Sequence, residues 1–255
     1  MKLIITLSGN SERFTSLGYP HKSLLNINGK TALKIFIDCF SDFKDFDTIF
    51  LCRKEDLQST NLEKEIKKHS NGKILSIDSN TLGPVYSVNQ IQDHISDDEE
   101  LVITYIDSLQ KTSLQKMRTE FSRFDGGLNV HDFKHPHWRF NKNFCLVKHD
   151  KSLVCTDVLE KYDFNKIDFD NASGCCGSSG SYYFKSGQIY KHYSNILLNS
   201  DQRINNEYYI TQIYNIMIDD GLKVKAFYAP YGNLGTPEDV EDYIFWDNWF
   251  CHQNG

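Results

Sequence analysis

Residues 2–30 read K-L-I-I-T-L-S-G-N-S-E-R-F-T-S-L-G-Y-P-H-K-S-L-L-N-I-N-G-K, a buried-strand pattern running into a small-residue loop. Lys2 to Leu7 form an apolar run of the kind a strand carries when both its faces are covered in a parallel sheet. Ser8 to Gly18 are mostly small and polar and include two glycines, so the backbone can turn sharply and aim several N–H groups at an anion. Arg13 lies inside that turn and Lys22 just beyond it. Such a loop, with two cations at its rim, suits a triphosphate; an ordinary β-to-α connection with solvated charges has the same composition.

Outward from this stretch, strand and helix signals alternate. Leu33, Phe36, Ile37 and Phe40 recur at helical spacing and predict a helix over 31–42. Asp47 to Cys52 read as a second buried strand, the charged run 55–68 as a solvated helix, and Lys73 to Ile77 as a third strand. The polar loop D-S-N-T-L-G-P follows, and Pro84 suits the first turn of a helix carrying Val85, Val88, Ile91 or Gln92, and Ile95. Leu101 to Ile106 form a fourth strand, ending on Asp107, and Leu114, Met117, Phe121 and Phe124 mark a helix over 112–124. This alternation predicts an α/β fold with a right-handed, mostly parallel sheet and ligands at the carboxyl ends of its strands. An aspartate at such an end can hold Mg²⁺ against a triphosphate, or simply cap a turn. From Gly126 onward the character turns to strands, at 126–133, 144–148, 153–159 and 222–228.

The chain of 255 residues, 40% apolar, fits one domain, with a nucleotide-binding half at 1–125 and an acceptor-binding half at 126–255. A net charge of -6 without a basic stripe argues against nucleic acid as a partner. Neither a signal peptide nor a long apolar run is visible, so no membrane association and a cytoplasmic location are expected. The seven cysteines show neither zinc spacing nor a C-x-x-C pair, and adjacent Cys175 and Cys176 read as reduced residues in or near a strand rather than a redox device. His131, His135 and His137 lack carboxylate or cysteine partners at metal-ligand spacing.

Gly9, Arg13, Phe14, Pro20, Lys22, Leu24, Leu25, Ile27, Gly29 and Lys30 keep the order of G-x-G-T-R-[LF] followed by P-K-x-L-L-x-[IV]-x-G-K, and the chain thereby resembles the sugar-phosphate nucleotidyltransferases. Three departures stand out: Ser11 for the second glycine, Glu12 for a Thr or Ser, and His21 between proline and lysine. The resemblance extends to D-D-E-E-L-V-I-T-Y-I-D ending at the metal aspartate Asp107, to Glu160-Lys161 in the place of an E-K-P motif, to the glycine-containing strand around Gly180, to Glu207 in N-E-Y-Y-I-T, and to N-L-G-T-P-E-D from Asn233. It implies a Rossmann-like, GT-A-like mixed sheet flanked by helices, with a small strand-rich acceptor-binding part.

The resemblance further implies a nucleoside triphosphate and a phosphorylated small molecule as partners, Mg²⁺ as cofactor, and a homo-oligomer as one option. Arg13, Lys22, Asp107 and Lys161 take the catalytic roles. Leu7, Ser8, Gly9, Asn10, Ser11, Glu12, Asn80 and Gly83 surround the nucleotide; Arg139, Glu160, Lys161, Gly180 and Glu207 hold the acceptor; and Asp107 with Asn233 holds the metal. The H-P-H-W-R-F segment resembles the capsule-precursor branch of cytidylyltransferases, which implies CTP as donor and L-glutamine phosphate as acceptor, giving CDP-L-glutamine. Three alternatives remain open at this level: a sugar 1-phosphate acceptor, a nucleotide-sugar-dependent glycosyltransferase, and a non-catalytic nucleotide sensor. Against the glycosyltransferase, Asp107-Ser108-Leu109 departs from a D-x-D metal motif.

Overall fold

A computed structural model describes residues 1–9, 11–19, 21–132, 143–163, 166–167 and 173–252. Nine strands join into one sheet: β1 (Lys2–Leu7), β2 (Asp47–Arg53), β3 (Lys73–Ile77), β4 (Leu101–Tyr105), β5 (Gly126–His131), β6 (Asn143–His149), β7 (Cys155–Asp163), β8 (Cys175–Phe184) and β9 (Val224–Tyr228). The first four are parallel in the order β3-β2-β1-β4. β8 then runs antiparallel beside β4 and continues onto β5 and β6, while β9 pairs parallel with β5. This is the mixed, mostly parallel α/β sheet flanked by helices that the sequence predicts. The strand order reverses between β1 and β4, where such sheets open a crevice at their carboxyl ends.

β1 carries apolar residues on both of its faces because it feeds two cores. Leu3, Ile5 and Leu7 pack on one face with Leu33, Phe36, Phe50 and Met117, whereas Ile4 packs on the other with Val85, Val88, Ile213 and Tyr214. The first face is covered by α2 (Ala32–Asp38), α4 (Leu62–His69), α6 (Leu114–Phe121) and α9 (Pro237–His252). The second is covered by α5 (Pro84–Asn89), α7 (Gly187–Asn199) and α8 (Ile210–Asp219). Thr31, Ser113 and Ser186 start α2, α6 and α7, each side-chain oxygen accepting a backbone N–H three residues on.

Several elements differ from expectation. The charged run 55–68 splits into α3 (Lys54–Ser59) and α4, because the Thr60 hydroxyl donates back to the Asp56 carbonyl and accepts from Leu62 N. α5 ends at Asn89, and a separate 3₁₀ turn covers Gln92–His94. β7 extends to Asp163, so Glu160 and Lys161 lie inside a strand rather than after one. The helices α7 and α9 carry no expectation from the sequence reading. Cys175 and Cys176 lie in β8 with free thiols, as read from the sequence.

Candidate active site

The loop leaving β1 turns through Ser11, which adopts a left-handed conformation at φ 51. Its carbonyl then accepts from Phe14 N and Thr15 N, forming the short turn α1 (Glu12–Thr15). Buried Phe14 anchors this turn and leaves Arg13 exposed at the cleft. Glu12 is exposed and does not line the cleft. Lys22 begins a 3₁₀ turn, and its Nζ reaches the Asp107 carboxylate at 2.6 Å. Asp107 follows β4, and its carbonyl accepts from Leu234 N at 2.9 Å, beside a two-stranded ribbon of Ser108–Gln110 and Tyr231–Asn233. Burial pushes the Asp107 carboxyl up, but the charge and hydrogen bond of Lys22 outweigh it and hold the group below the usual aspartate range.

His21 separates the family-like proline from Lys22 and is 3% exposed. Its Nδ1 accepts from Ser23 N at 3.3 Å, and its Nε2 lies 3.7 Å from Asp56. Arg53 already holds Asp56 through two hydrogen bonds of 2.7 Å. Burial, with Lys22 and Arg53 adding to it against Asp56, lowers the His21 pKa to about 4. The imidazole is therefore neutral at pH 7, a packed wedge under Lys22 rather than a third cation.

Across the cleft, β7 carries a bulge against β6: Leu159 pairs with Leu146 and Tyr162 with Phe144, so one extra residue sits on β7. Lys161 occupies that bulge at φ 53, a local departure that re-aims a side chain. Its Nζ sits 5.1 Å over the ring of Tyr209, and the Tyr209 hydroxyl donates to Glu207. Helix α8 begins at Ile210, so Glu207 stands just ahead of its N-terminus. Glu160 turns towards Thr211, whose hydroxyl donates to it at 2.6 Å. Burial raises the Glu160 pKa, with Thr211 and Lys161 only partly opposing it.

These elements enclose a cleft of ≈ 340 Å³ lined by Ser8, Gly9, Arg13, Lys22, Asn80, Gly83, Asp107, Lys161 and Glu207 from the sequence-derived set. The loop before α5 closes one wall: Tyr208 N donates to Leu82 O and Val85 N to Tyr208 O. Gly83 allows that approach, since its φ is 89 and an added Cβ would lie 2.8 Å from Tyr208 N.

Other expected residues lie elsewhere. Leu7 is buried in the core beneath the loop, and the Ser11 hydroxyl accepts from Lys22 N. Gly180 packs against Ser108 behind the cleft, where an added Cβ would meet Ser108 Oγ at 2.3 Å. Glu160 lines an adjoining hollow with Lys161 and Asp163. The Asn233 amide donates to Asp239 at 2.8 Å. Asn10 and Arg139 fall outside the described residues, as do His135 and His137. His131 bonds Ser179 and stacks on Tyr231, and the described residues include no group of three His, Cys, Asp or Glu side chains placed to hold a metal ion.

Thr6, Thr81, Ser87, Tyr105 and Tyr209 line the cleft without having been singled out. For Tyr209 the signal was present, since it stands two residues after Glu207 in N-E-Y-Y. What hid it is that its partner Lys161 is distant in sequence. Among the described residues, no helix is long and apolar enough to cross a membrane.

No protein-family model matches the chain, and neither does any curated protein. The fold is nevertheless shared with solved structures. A nucleoside-diphosphate-sugar pyrophosphorylase from Vibrio cholerae RC9 superposes with a TM-score of 0.76 at 19% identity, covering 96% of this chain and 99% of that one. A UDP-glucose pyrophosphorylase complexed with UDP-glucose gives 0.73 at 15% identity and 98% of each chain. An inositol-1-phosphate CTP transferase from T. maritima gives 0.66 at 14% identity, covering 93% of this chain and 90% of that one. These neighbours are named as pyrophosphorylases and as a CTP transferase, and the chain shares their mixed, mostly parallel, GT-A-like architecture.

Proposed function

We propose that the chain is a nucleotidyltransferase that moves a nucleoside monophosphate from a nucleoside triphosphate to a phosphorylated small molecule and releases pyrophosphate. The observation that carries this reading is the convergence of Arg13, Lys22, Lys161 and Asp107 on one cleft at the strand-order reversal. The fold shared with proteins named as pyrophosphorylases and as a CTP transferase supports it.

In this reaction an acceptor phosphate oxygen attacks the α-phosphorus. The new O–P bond forms as the bond from the α-phosphorus to the bridging oxygen breaks, and that oxygen leaves with pyrophosphate. The nucleophile is already ionised at neutral pH, so a general base is unnecessary; the barrier lies in bringing anions together and stabilising the developing charge. Arg13 serves the leaving pyrophosphate, Lys22 the α-phosphate and Lys161 the acceptor phosphate. Asp107 fits a Mg²⁺ ion, because that ion takes one or two carboxylates and completes its shell with water and phosphate oxygens. Asn233 offers only a neutral amide, already engaged with Asp239. When bound, the ion would neutralise charge on the triphosphate oxygens.

For the substrates, the reading is CTP and L-glutamine phosphate, giving CDP-L-glutamine for capsular polysaccharide precursor synthesis. An amino-acid acceptor needs a carboxylate near its ammonium group, and Glu207 lines the cleft with Lys161 while Glu160 adjoins it. Arg139 is the cation proposed for the α-carboxylate. A sugar 1-phosphate is the second acceptor reading, favoured by neighbours named as sugar pyrophosphorylases.

The four common triphosphates tested against both acceptors, with pyrophosphate as readout, separate these readings. The expected result is pyrophosphate release with CTP and L-glutamine phosphate. Preference for a hexose 1-phosphate would replace the acceptor. Release of a nucleoside diphosphate from a nucleotide sugar, or tight nucleotide binding without turnover, would overturn nucleotidyl transfer itself.

A further inference from the structure

We propose that the outer face of α9 is a dimer interface, and that its occupant is the same face of a second copy of this chain. Val240, Tyr243 and Ile244 turn α9 onto the core. Away from that contact, Phe245, Trp246, Trp249 and Phe250 are 60%, 45%, 45% and 59% exposed. Their spacing places them together across two turns. The rings touch one another: Trp246 lies 6.1 Å from Trp249 at 76°, and Trp249 lies 5.1 Å from Phe250 at 85°. The result is a ridge of edge-on and tilted aromatic rings on the exposed side of the helix.

The area suits an interface core. Four aromatic side chains, each carrying roughly 150–250 Å² and each about half exposed, present on the order of 400 Å². Standard interfaces cover about 800 Å² per partner, with an apolar centre and a polar rim. The ridge would supply that centre, and tryptophans are enriched among the residues that dominate binding energy.

Charge selects the occupant. Within residues 243–250 the sole charge is Asp247, and the Asn28 amide engages it at 2.7 Å. Glu238, Asp239, Glu241 and Asp242 all lie towards the start of the helix, and α9 holds no lysine or arginine. An acidic lipid surface or a polyanion is therefore repelled. An antiparallel two-fold contact centred between Trp246 and Trp249 joins the uncharged aromatic turns instead. At 1.5 Å per residue, Asp242, the near end of the acidic segment, stands about 8 Å from that centre, so the two copies' acidic segments lie about 16 Å apart along the axes. That exceeds the Debye length of about 8 Å at physiological salt. The antiparallel arrangement also sets the helix dipoles against each other favourably, and a two-fold axis requires the self-complementary face that this ridge provides.

Sedimentation across the micromolar range tests the proposal on the full chain. The wild type should sediment as a dimer that dissociates on dilution. Two of its three tryptophans lie in the ridge, so its emission should shift to the red as it dissociates. The double variant Trp246→Glu, Trp249→Glu should weaken dimerisation by at least about tenfold with an unchanged circular dichroism spectrum. Should that variant fail to fold, Trp246→Ser with Trp249→Ser makes the same measurement without new charge. A wild type that stays monomeric throughout, or folded variants that dimerise like the wild type, would overturn the proposal.

Discussion

The two sides of the cleft treat similar residues in opposite ways. On the side built from β1 and β4, Asp107 is held below the usual carboxylate range because Lys22 meets it at 2.6 Å despite burial. On the side built from β7 and the start of α8, Glu160 is pushed above that range, because burial outweighs the Thr211 hydroxyl and the neighbouring lysine. The cations differ in parallel: Lys22 rests on a carboxylate, Lys161 over the face of Tyr209. A buried carboxylate keeps its charge when a full cation touches it and resists ionising when its closest partner is a dipole. The first side therefore presents fixed opposite charges, suited to a metal and a triphosphate. The second keeps Lys161 without a direct ion pair to either of its neighbouring glutamates, suited to receiving an acceptor phosphate.

The largest effect is expected from removing one member of the Lys22–Asp107 pair. Lys22→Ala and Asp107→Asn should each lower turnover on the order of 10²- to 10³-fold, the scale of a lost electrostatic group in a dry site. Pyrophosphate release measures it, and near-normal rates would reduce the pair to an ordinary surface ion pair worth little. The folded Asp107 pKa lies below its unfolded value, so the pair's contribution to stability is present above about pH 4 and lost as pH falls through the folded value.

Next in size is an effect on stability beneath the first side. The folded His21 pKa of about 4 lies below the unfolded value of about 6.5, so the unfolded chain takes the proton first. Stability from this group is complete above about pH 6.5 and should fall by about 2 kcal/mol by pH 5, at about 1.4 kcal/mol per pH unit. Urea midpoints of wild type and His21→Gln across this range test it; equal slopes would show that His21 titrates normally.

On the second side, Tyr209→Leu removes both the ring under Lys161 and the hydroxyl on Glu207. It should raise the acceptor KM about tenfold, the scale of a partly desolvated cation–π contact with its hydrogen bond, while leaving the triphosphate KM near normal. Tyr209→Phe keeps the ring and should recover most of that loss. Equal shifts in both KM values would mean that the two sides are not separable. The smallest effect is expected at Asn233. Asn233→Ala should keep a substantial part of turnover and chiefly raise the Mg²⁺ requirement, as read by magnesium titration. Inactivity equal to that of Asp107→Asn would instead mean that both residues hold the metal.

Legibility in the sequence follows how local each cause is. Residues 2–7 disclose a doubly covered strand because Leu3, Ile5 and Leu7 fill one core and Ile4 the other, and β3 spans Lys73–Ile77 as read because its signal is a short apolar run. The placement of Arg13, Lys22 and Asp107 at one cleft is legible because the loop after β1 and the end of β4 hold them within a few residues of their backbone anchors. Where charged side chains dominate a segment, the reading ran too long, as in 55–68, since a hydroxyl returning to Asp56 ends α3 within an otherwise helical composition. Helix α9 carried no amphipathic signal to read, because apolar residues surround it and only part of them found a core.

The alternating elements, the apolar strands and the places of Arg13 and Lys22 in and after the β1 loop follow from neighbours within one or two turns. Only the tertiary structure decided that a bulge in β7 lifts Lys161 onto Tyr209, that His21 is a neutral wedge beside Asp56, and that Asn233 faces Asp239. Those outcomes depend on burial and on partners that in two of the three cases lie more than thirty residues apart in the chain. A side chain's charge state and direction there are set by the surroundings that folding brings to it.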